Sequence, residues 1–403
     1  MVDMKHIAAL LIALSGILKA AEPFIEKHDL FVAGDHPAYS LYHIPGVVVT
    51  AKGTVLTWCE ARKRAAGVSD WDDIRILLRR STDDGNTWSA AKSIADVPGP
   101  KKKNPFALKM KNVDPNDVTY NNPVLIADRN GTVHMLFCLE YMRVFYQRSS
   151  DDGMTFSRPT EITAAFEAFK KHYDWKVLAT GPNHSIQLKN GRLIVPVWLS
   201  TGAGGNAHRP SVTATLYSDD QGKNWQAGDI AVPCTEEWIN PNETVAIELK
   251  DGRVMLNVRS ESKAHRRLIT TSPDGATQWS TPKFDEALLE PICMAGIVRY
   301  NHEGESAILF SNPHNLDVAK GKPEPGKSRA RRNVSVKLSR DEGQTWPINK
   351  CIEEGPSMYS DLAVTPSGTL LCFYGRSGDN KGVAAFAGGR LTLARFNREW
   401  LEQ

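Results

Sequence analysis

Carboxylates, arginines and one tyrosine recur in this chain at fixed counts from glycine turns. Nine or ten residues before such a turn stand His43, Asn122, Glu243 and Tyr359, with Asn183 and His184 close to the equivalent place in another unit. Seven to nine residues after it stand Glu60, Arg62, Glu140, Arg259 and Arg376. The loop beyond adds Asp70, Asp72, Asp73, Arg329, Arg331 and Arg332. Taken singly, each charged residue reads as a solvated or paired group at a strand end. Tyr359 alone reads as a packed aromatic with a wet hydroxyl. At matching offsets in five units, they read together as a site for a glycan or an anion.

The elements that must position these residues are also repeated. Ser81–Trp88 reads Ser-Thr-Asp-Asp-Gly-Asn-Thr-Trp and returns as Ser149–Phe156, Ser218–Trp225 and Ser339–Trp346, with a shortened copy at Ser272–Trp279. The starts are 68, 69, 54 and 67 residues apart. In each copy an Asp accepts from N–H groups of its own turn, and a Gly supplies positive φ. The terminal aromatic covers the neighbouring strands. Before the last copy, Val334, Val336 and Leu338 alternate with polar residues, the pattern of a half-buried strand. A second series, a short strand, a Gly turn and an apolar strand, occurs at Gly53, Gly131, Gly191, Gly252, Gly304 and Gly368. Five of these hairpins run into a box 18 to 35 residues later, and the sixth runs into a strand at Arg390–Phe396.

One unit is therefore strand, Gly turn, strand, loop, strand, box, strand. Six such four-stranded antiparallel units around an axis make an all-β, six-bladed β-propeller, the last blade being completed by strand material near residue 30. The boxes and Gly turns share one end of each blade, so the convergent polar residues ring the other end, the axial mouth. The boxes are then scaffold and require no metal. Helical periodicity is confined to Ile162–Lys171.

The bulk properties narrow the classes. Lys plus Arg exceeds Asp plus Glu by 49 − 46 = 3, which excludes the charge excess of a nucleic-acid binder. The Lys101–Lys103 run, flanked by prolines, reads as a solvated loop. Six cysteines form no CxxC pair; Cys59, Cys138 and Cys372 lie in apolar runs and read as buried small hydrophobes. No cofactor motif and no metal-ligand spacing is present. Residues 1–21 carry Lys5, an apolar run from Ile7 to Leu18 and small residues at Ala20 and Ala21, which fits a secretory signal peptide rather than a membrane span. An exported propeller domain over 22–403, with no membrane insertion after cleavage, is expected.

At this point the chain resembles the sialidases (neuraminidases) of the bacterial and animal type, from about Leu30 to Trp400. The boxes look like that family's Asp-boxes. More specific are Tyr42-His43-Ile44-Pro45, similar to the family's Tyr-Arg-Ile-Pro, and Glu60-Ala61-Arg62. Asn242-Glu243, Asn257-Val258-Arg259, Arg331-Arg332-Asn333 and Tyr359-Ser360-Asp361-Leu362 complete the match. The resemblance implies Tyr359 as nucleophile, Glu243 as its base and Asp70 as acid/base, with Asp72 and Asp73 as alternatives to Asp70. It implies Arg259 and Arg331 as carboxylate-binding arginines, with Arg332 the alternative to Arg331, and Arg62 lining the pocket. Sialylated or related acidic glycans would be the substrates.

The chain departs from the family at His43, where the first triad arginine is expected. A reference pKa of about 6.5 leaves a histidine only partly charged at neutral pH, so the clamp is weakened or reshaped. Gly181–His184 and Asn206–Pro210 are candidates for compensating donors. Three functions stay open: an exo-α-sialidase, a propeller glycosidase for a different sugar, and a non-catalytic glycan-binding propeller.

Overall fold

In the computed structural model, residues 22–63, 70–109, 113–318, 329–377 and 389–403 are described; the expected signal peptide, 1–21, lies outside them. The chain is all-β and propeller-like, and each main strand pairs antiparallel with the next in sequence. The first sheet runs Leu41–Val49, Val55–Arg62, Ile74–Ser81, Lys92–Ser93. The second runs Tyr120–Ala127, Val133–Leu139, Arg143–Ser149, Thr160–Glu161, and takes Asn183–His184 as a parallel addition beside its inner strand. The third is built on Val177–Thr180, Leu193–Ser200, Ser211–Ser218 and Gln226–Val232, and the fourth on Thr244–Glu248, Val254–Val258, Arg266–Ser272 and Lys283–Leu289.

The rest forms a seven-stranded sheet whose two ladders share the 17-residue strand Ile348–Val364. Its first half pairs with Arg332–Ser339 and its second with Leu370–Ser377. The expected closure from near residue 30 is present. Ile25–Val32 pairs antiparallel with Gly389–Phe396. Asp29 seals it, accepting from Thr392 Oγ1 at 2.6 Å, Arg390 Nη1 at 2.7 Å and Arg376 Nη2 at 3.0 Å. Burial pushes the Asp29 carboxyl up, but these three donors outweigh it and hold it low.

Alternation along the strands buries one face against each neighbouring sheet, and the core is a closed ring of such contacts. Trp58, Ile76 and Leu78 of the first sheet pack on Leu125, Met135 and Phe137 of the second. Phe373 and Leu391 of the last ladder return to Val47, Val55 and Leu77 of the first. Each large apolar side chain buried this way contributes about 1.5–3 kcal/mol. Ile162–Lys171 forms a short 3-10 helix over Thr163–Lys171 whose Phe166 and Phe169 are buried in this ring.

The boxes lock the ring from one end. In the first, Asp83 Oδ1 accepts from Thr87 N at 2.9 Å and Ser81 Oγ at 2.7 Å, and Gly85 N donates to Ser81 Oγ at 2.9 Å. The second copies this geometry with Asp151, Thr155 and Ser149. Its Gly153 has φ +76°, and a Cβ there would lie 2.9 Å from Leu56 of the preceding sheet. Glycine is required both by the turn and by that close approach.

Candidate active site

The mouth-end residues arrive on backbone that leaves the ladder. Pairing skips from His43 to Gly46, from Asn121 to Val124 and from Ser357 to Ser360. Ile44 and Asn122 take φ of 57° and 50°. Such interruptions re-aim side chains away from the regular pleat, and here they turn them into one cavity of about 190 Å³. His43, Arg62, Asp70, Glu243, Arg259, Arg331 and Tyr359 all line it.

Tyr359 is buried at the base. Its hydroxyl lies 2.7 Å from both carboxylate oxygens of Glu243 and accepts from Arg259 Nη1 at 2.7 Å. Arg259 also donates to Glu243 Oε2. Burial drives the Tyr359 phenol well above its ordinary pKa, with the Arg259 and Arg331 charges opposing and Glu243 reinforcing. At rest it is a neutral phenol hydrogen-bonded to a carboxylate. Arg331 stacks its guanidinium 5.3 Å from the Tyr359 ring centroid and donates to Ile292 O at 2.6 Å.

Asp70 faces this group from the cavity edge, 2.9 Å from Arg62 Nη1. Burial pushes its carboxyl up, but Arg62, then His208, pull it down to about 2. Its side chain is 49% exposed, so water screens much of that pairing. Arg62 is held in turn by buried Glu60, at 2.7 and 3.2 Å, whose other oxygen accepts from Asn122 N at 2.8 Å.

His43 packs on Tyr359 with ring centroids 4.5 Å apart. Burial, then the charges of Arg62 and Arg331, push its pKa well below 6.5. This corrects the expectation of partial charge. The imidazolium form of His43 is thereby disfavoured, and the arginines that line the cavity are Arg62, Arg209, Arg259 and Arg331.

The alternatives separate by position. Asp73 pairs with Arg75 at 2.5 Å and with Lys63, and Asp72 is buried with its carbonyl accepting from Thr119; neither lines the cavity. Arg332 lies in a different groove, 4.0 Å from Asp317. Three other convergent residues serve elsewhere: Glu140 holds buried Lys103, Arg376 holds Asp29, and Arg329 meets His265; Glu60 does not line the cavity but holds Arg62, which does. Asn206–Pro210 does reach the cavity, through His208 and Arg209, whereas no residue of Gly181–His184 lines it.

Sequence reasoning missed Tyr141, Trp198 and Glu261. Trp198 stands seven residues after Gly191, the productive offset, but its apolar run reads as core. Glu140 and Tyr141 both take left-handed φ, 59° and 49°, so the side chain facing the cavity shifts by one from the expected Glu140. Glu261 accepts from Arg209 Nε at 2.7 and 2.8 Å, a pairing no offset announces.

A larger groove, about 900 Å³, runs past Arg75, Lys92, Gln147 and Arg158 and holds none of these residues. Among the described residues, no cluster of three or more His, Cys, Asp or Glu is placed to hold a metal, and no helix is long and apolar enough to cross a membrane.

The BNR repeat-like domain family matches residues 55–372. A sialidase of Micromonospora viridifaciens is 27% identical over 401 residues, covering 94% of this chain and 55% of the relative. A sialidase of Bacteroides fragilis is also 27% identical, covering 85% of this chain and 61% of the relative. The chain thus spans little more than half the length of these relatives. The solved Hadza microbial sialidase Hz136 superposes with a TM-score of 0.71 at 24% identity, covering 93% of this chain and 69% of that one.

Proposed function

The chain belongs to the BNR repeat-like domain family, and on that premise we propose that it is an exo-α-sialidase-type glycoside hydrolase acting with retention through Tyr359. One observation carries the reading: the Tyr359 hydroxyl sits 2.7 Å from both Glu243 oxygens and from Arg259, in a cavity shared with Arg331 and Asp70. A sialic acid bears a carboxylate on its anomeric carbon, which would repel an Asp or Glu nucleophile. A neutral phenol escapes that repulsion, and a neighbouring base activates it.

In the first step the Tyr359 oxygen bonds to the anomeric carbon while the glycosidic C–O bond breaks. Glu243 takes the phenolic proton and Asp70 gives one to the departing oxygen. In the second, water attacks the same carbon, Asp70 takes its proton, and the tyrosyl bond breaks with its proton returned from Glu243. Two inversions give retention. Arg259 and Arg331 supply the donors for the sugar carboxylate. In the free protein Asp70 is ionised, so bound substrate must shield it from Arg62 and water before it holds the proton.

Six four-stranded blades support the site in this reading, the strand Ile348–Val364 being divided between the fifth and sixth. The domain spans 22–403, follows a signal peptide, and acts outside the cytoplasm on sialylated glycans. Fluorophore release from an α-ketoside of N-acetylneuraminic acid, with Tyr359→Phe as blank, tests the proposal. No release from folded protein would sink it.

The buried His43, its imidazolium form disfavoured, favours a second reading, an acidic sugar other than N-acetylneuraminic acid. A panel of other ulosonic acid glycosides distinguishes the two.

A further inference from the structure

Tyr359 falls in the unpaired step between Ser357 and Ser360, and His43 is the last paired residue before the step to Gly46, so the ladder is interrupted at both. Something else must hold them. Asp361 follows Tyr359 by two residues, where the ladder has resumed. It is fully buried, and its carboxylate accepts four N–H donors. Oδ2 takes Val47 N at 3.0 Å and His184 N at 3.1 Å; Oδ1 takes His184 Nδ1 at 2.7 Å and Leu362 N at 2.9 Å. Val47 lies four residues beyond His43. His184 belongs to the strand added to the second sheet. Beside it, Asn183 Nδ2 donates to Ser360 O at 2.8 Å and Ala295 O at 3.0 Å. One carboxylate therefore ties the strands carrying Tyr359 and His43, in the last and first sheets, to the strand added to the second.

Neither Asp361 nor His184 lines the candidate active cavity. His184 instead borders a separate axial cavity of about 400 Å³ among Val47, Ile247, Ile297 and Leu362. Burial pulls the His184 pKa down, but the Asp361 charge and hydrogen bond raise it overall, so the pair carries charge-assisted bonds.

We propose that Asp361 and His184 are positioning residues, an inter-sheet clamp that replaces the missing ladder bonds and sets the Tyr359 hydroxyl against Glu243. The inference rests on Tyr359 being the nucleophile. A displacement of about 1 Å at a reacting group costs on the order of 10²-fold in rate. His184→Ala is expected to lower kcat by about 10- to 100-fold with KM within about twofold. His184→Asn, whose amide can donate from the place of Nδ1, should recover most of that loss.

A second readout needs no turnover. In protein carrying 3-fluorotyrosine, the fluorine resonance assigned to Tyr359 by its loss in Tyr359→Phe should broaden or split in His184→Ala and sharpen again in His184→Asn. If His184→Ala does not fold, Asn183→Gly removes the Ser360 tether without stranding a charge and accepts the φ of 77° there. It should move both readouts the same way by a smaller amount. Wild-type kcat and an unchanged Tyr359 resonance in a folded clamp variant would overturn the clamp. A wild type inert on all sialosides, with the resonance still dependent on His184, would overturn the nucleophile reading and leave the clamp standing.

Discussion

The two ends of the ring are built from the same repeat and use their carboxylates in opposite ways. At the box end, Asp83, Asp151 and Asp341 spend their oxygens on N–H and hydroxyl groups of their own turns. At the mouth, Glu60 and Asp70 meet Arg62 and Glu243 meets Arg259 at short range, but Glu60 also accepts from Asn122 N, 62 residues away, and Glu243 from Tyr359, 116 residues away. Local satisfaction lets a turn be copied around the ring unchanged. Non-local satisfaction lets every copy differ, so the chemistry can collect at that end. The contrast teaches that repetition marks scaffold here, and that changed residues at a matching offset supply the candidates among which packing then selects.

The largest test of that contrast is Tyr359→Phe, which should lower kcat by about 10³-fold or more while the unfolding midpoint stays close to wild type. Full activity in the variant would remove the mouth from the chemistry. Glu243→Gln keeps the hydrogen-bonding shape and removes the base; a loss of about 10²- to 10⁴-fold is expected from steady-state assay. His43→Arg sharpens the comparison by restoring a cation at the mouth. On a sialoside it should lower KM by about tenfold, the worth of one charge-assisted hydrogen bond of about 1.4 kcal/mol. An unchanged or raised KM would favour the different-sugar reading.

Effects at the box end should be smaller and confined to stability. Asp83→Ala removes the acceptor for Thr87 and Ser81 and is expected to cost about 1 kcal/mol in a denaturant titration, as loss of a helix cap does, with kcat unchanged. The pH dependence has a definite sign. Hydrogen bonds from their own turns hold Asp83, Asp151 and Asp341 at about 2, below the ordinary aspartate value of 3.8. A depressed folded-state pKa contributes stability above the unfolded value, and that contribution is lost as pH falls through the folded one. Melting temperature should therefore decline between about pH 4 and pH 2, with a shallower decline in Asp83→Asn. An equal decline would show that this carboxylate is not part of the loss.

What the sequence determined by itself is what short-range chemistry encodes: the boxed turns, the Gly hairpins, the alternation of the strands, and an offset at which mouth residues stand. These need only neighbours a few positions apart, so they can be read in order. Tertiary structure alone decided which convergent residues share a cavity. Glu140 and Arg376 hold the right offsets but turn to Lys103 and Asp29, while Tyr141 and Trp198 turn in. It also decided which way the His43 imidazole is pushed, because burial against Tyr359 among arginines is a property of the packed interior. Side-chain direction at a ladder interruption depends on single left-handed residues and on partners a hundred positions away, and no local pattern carries that information.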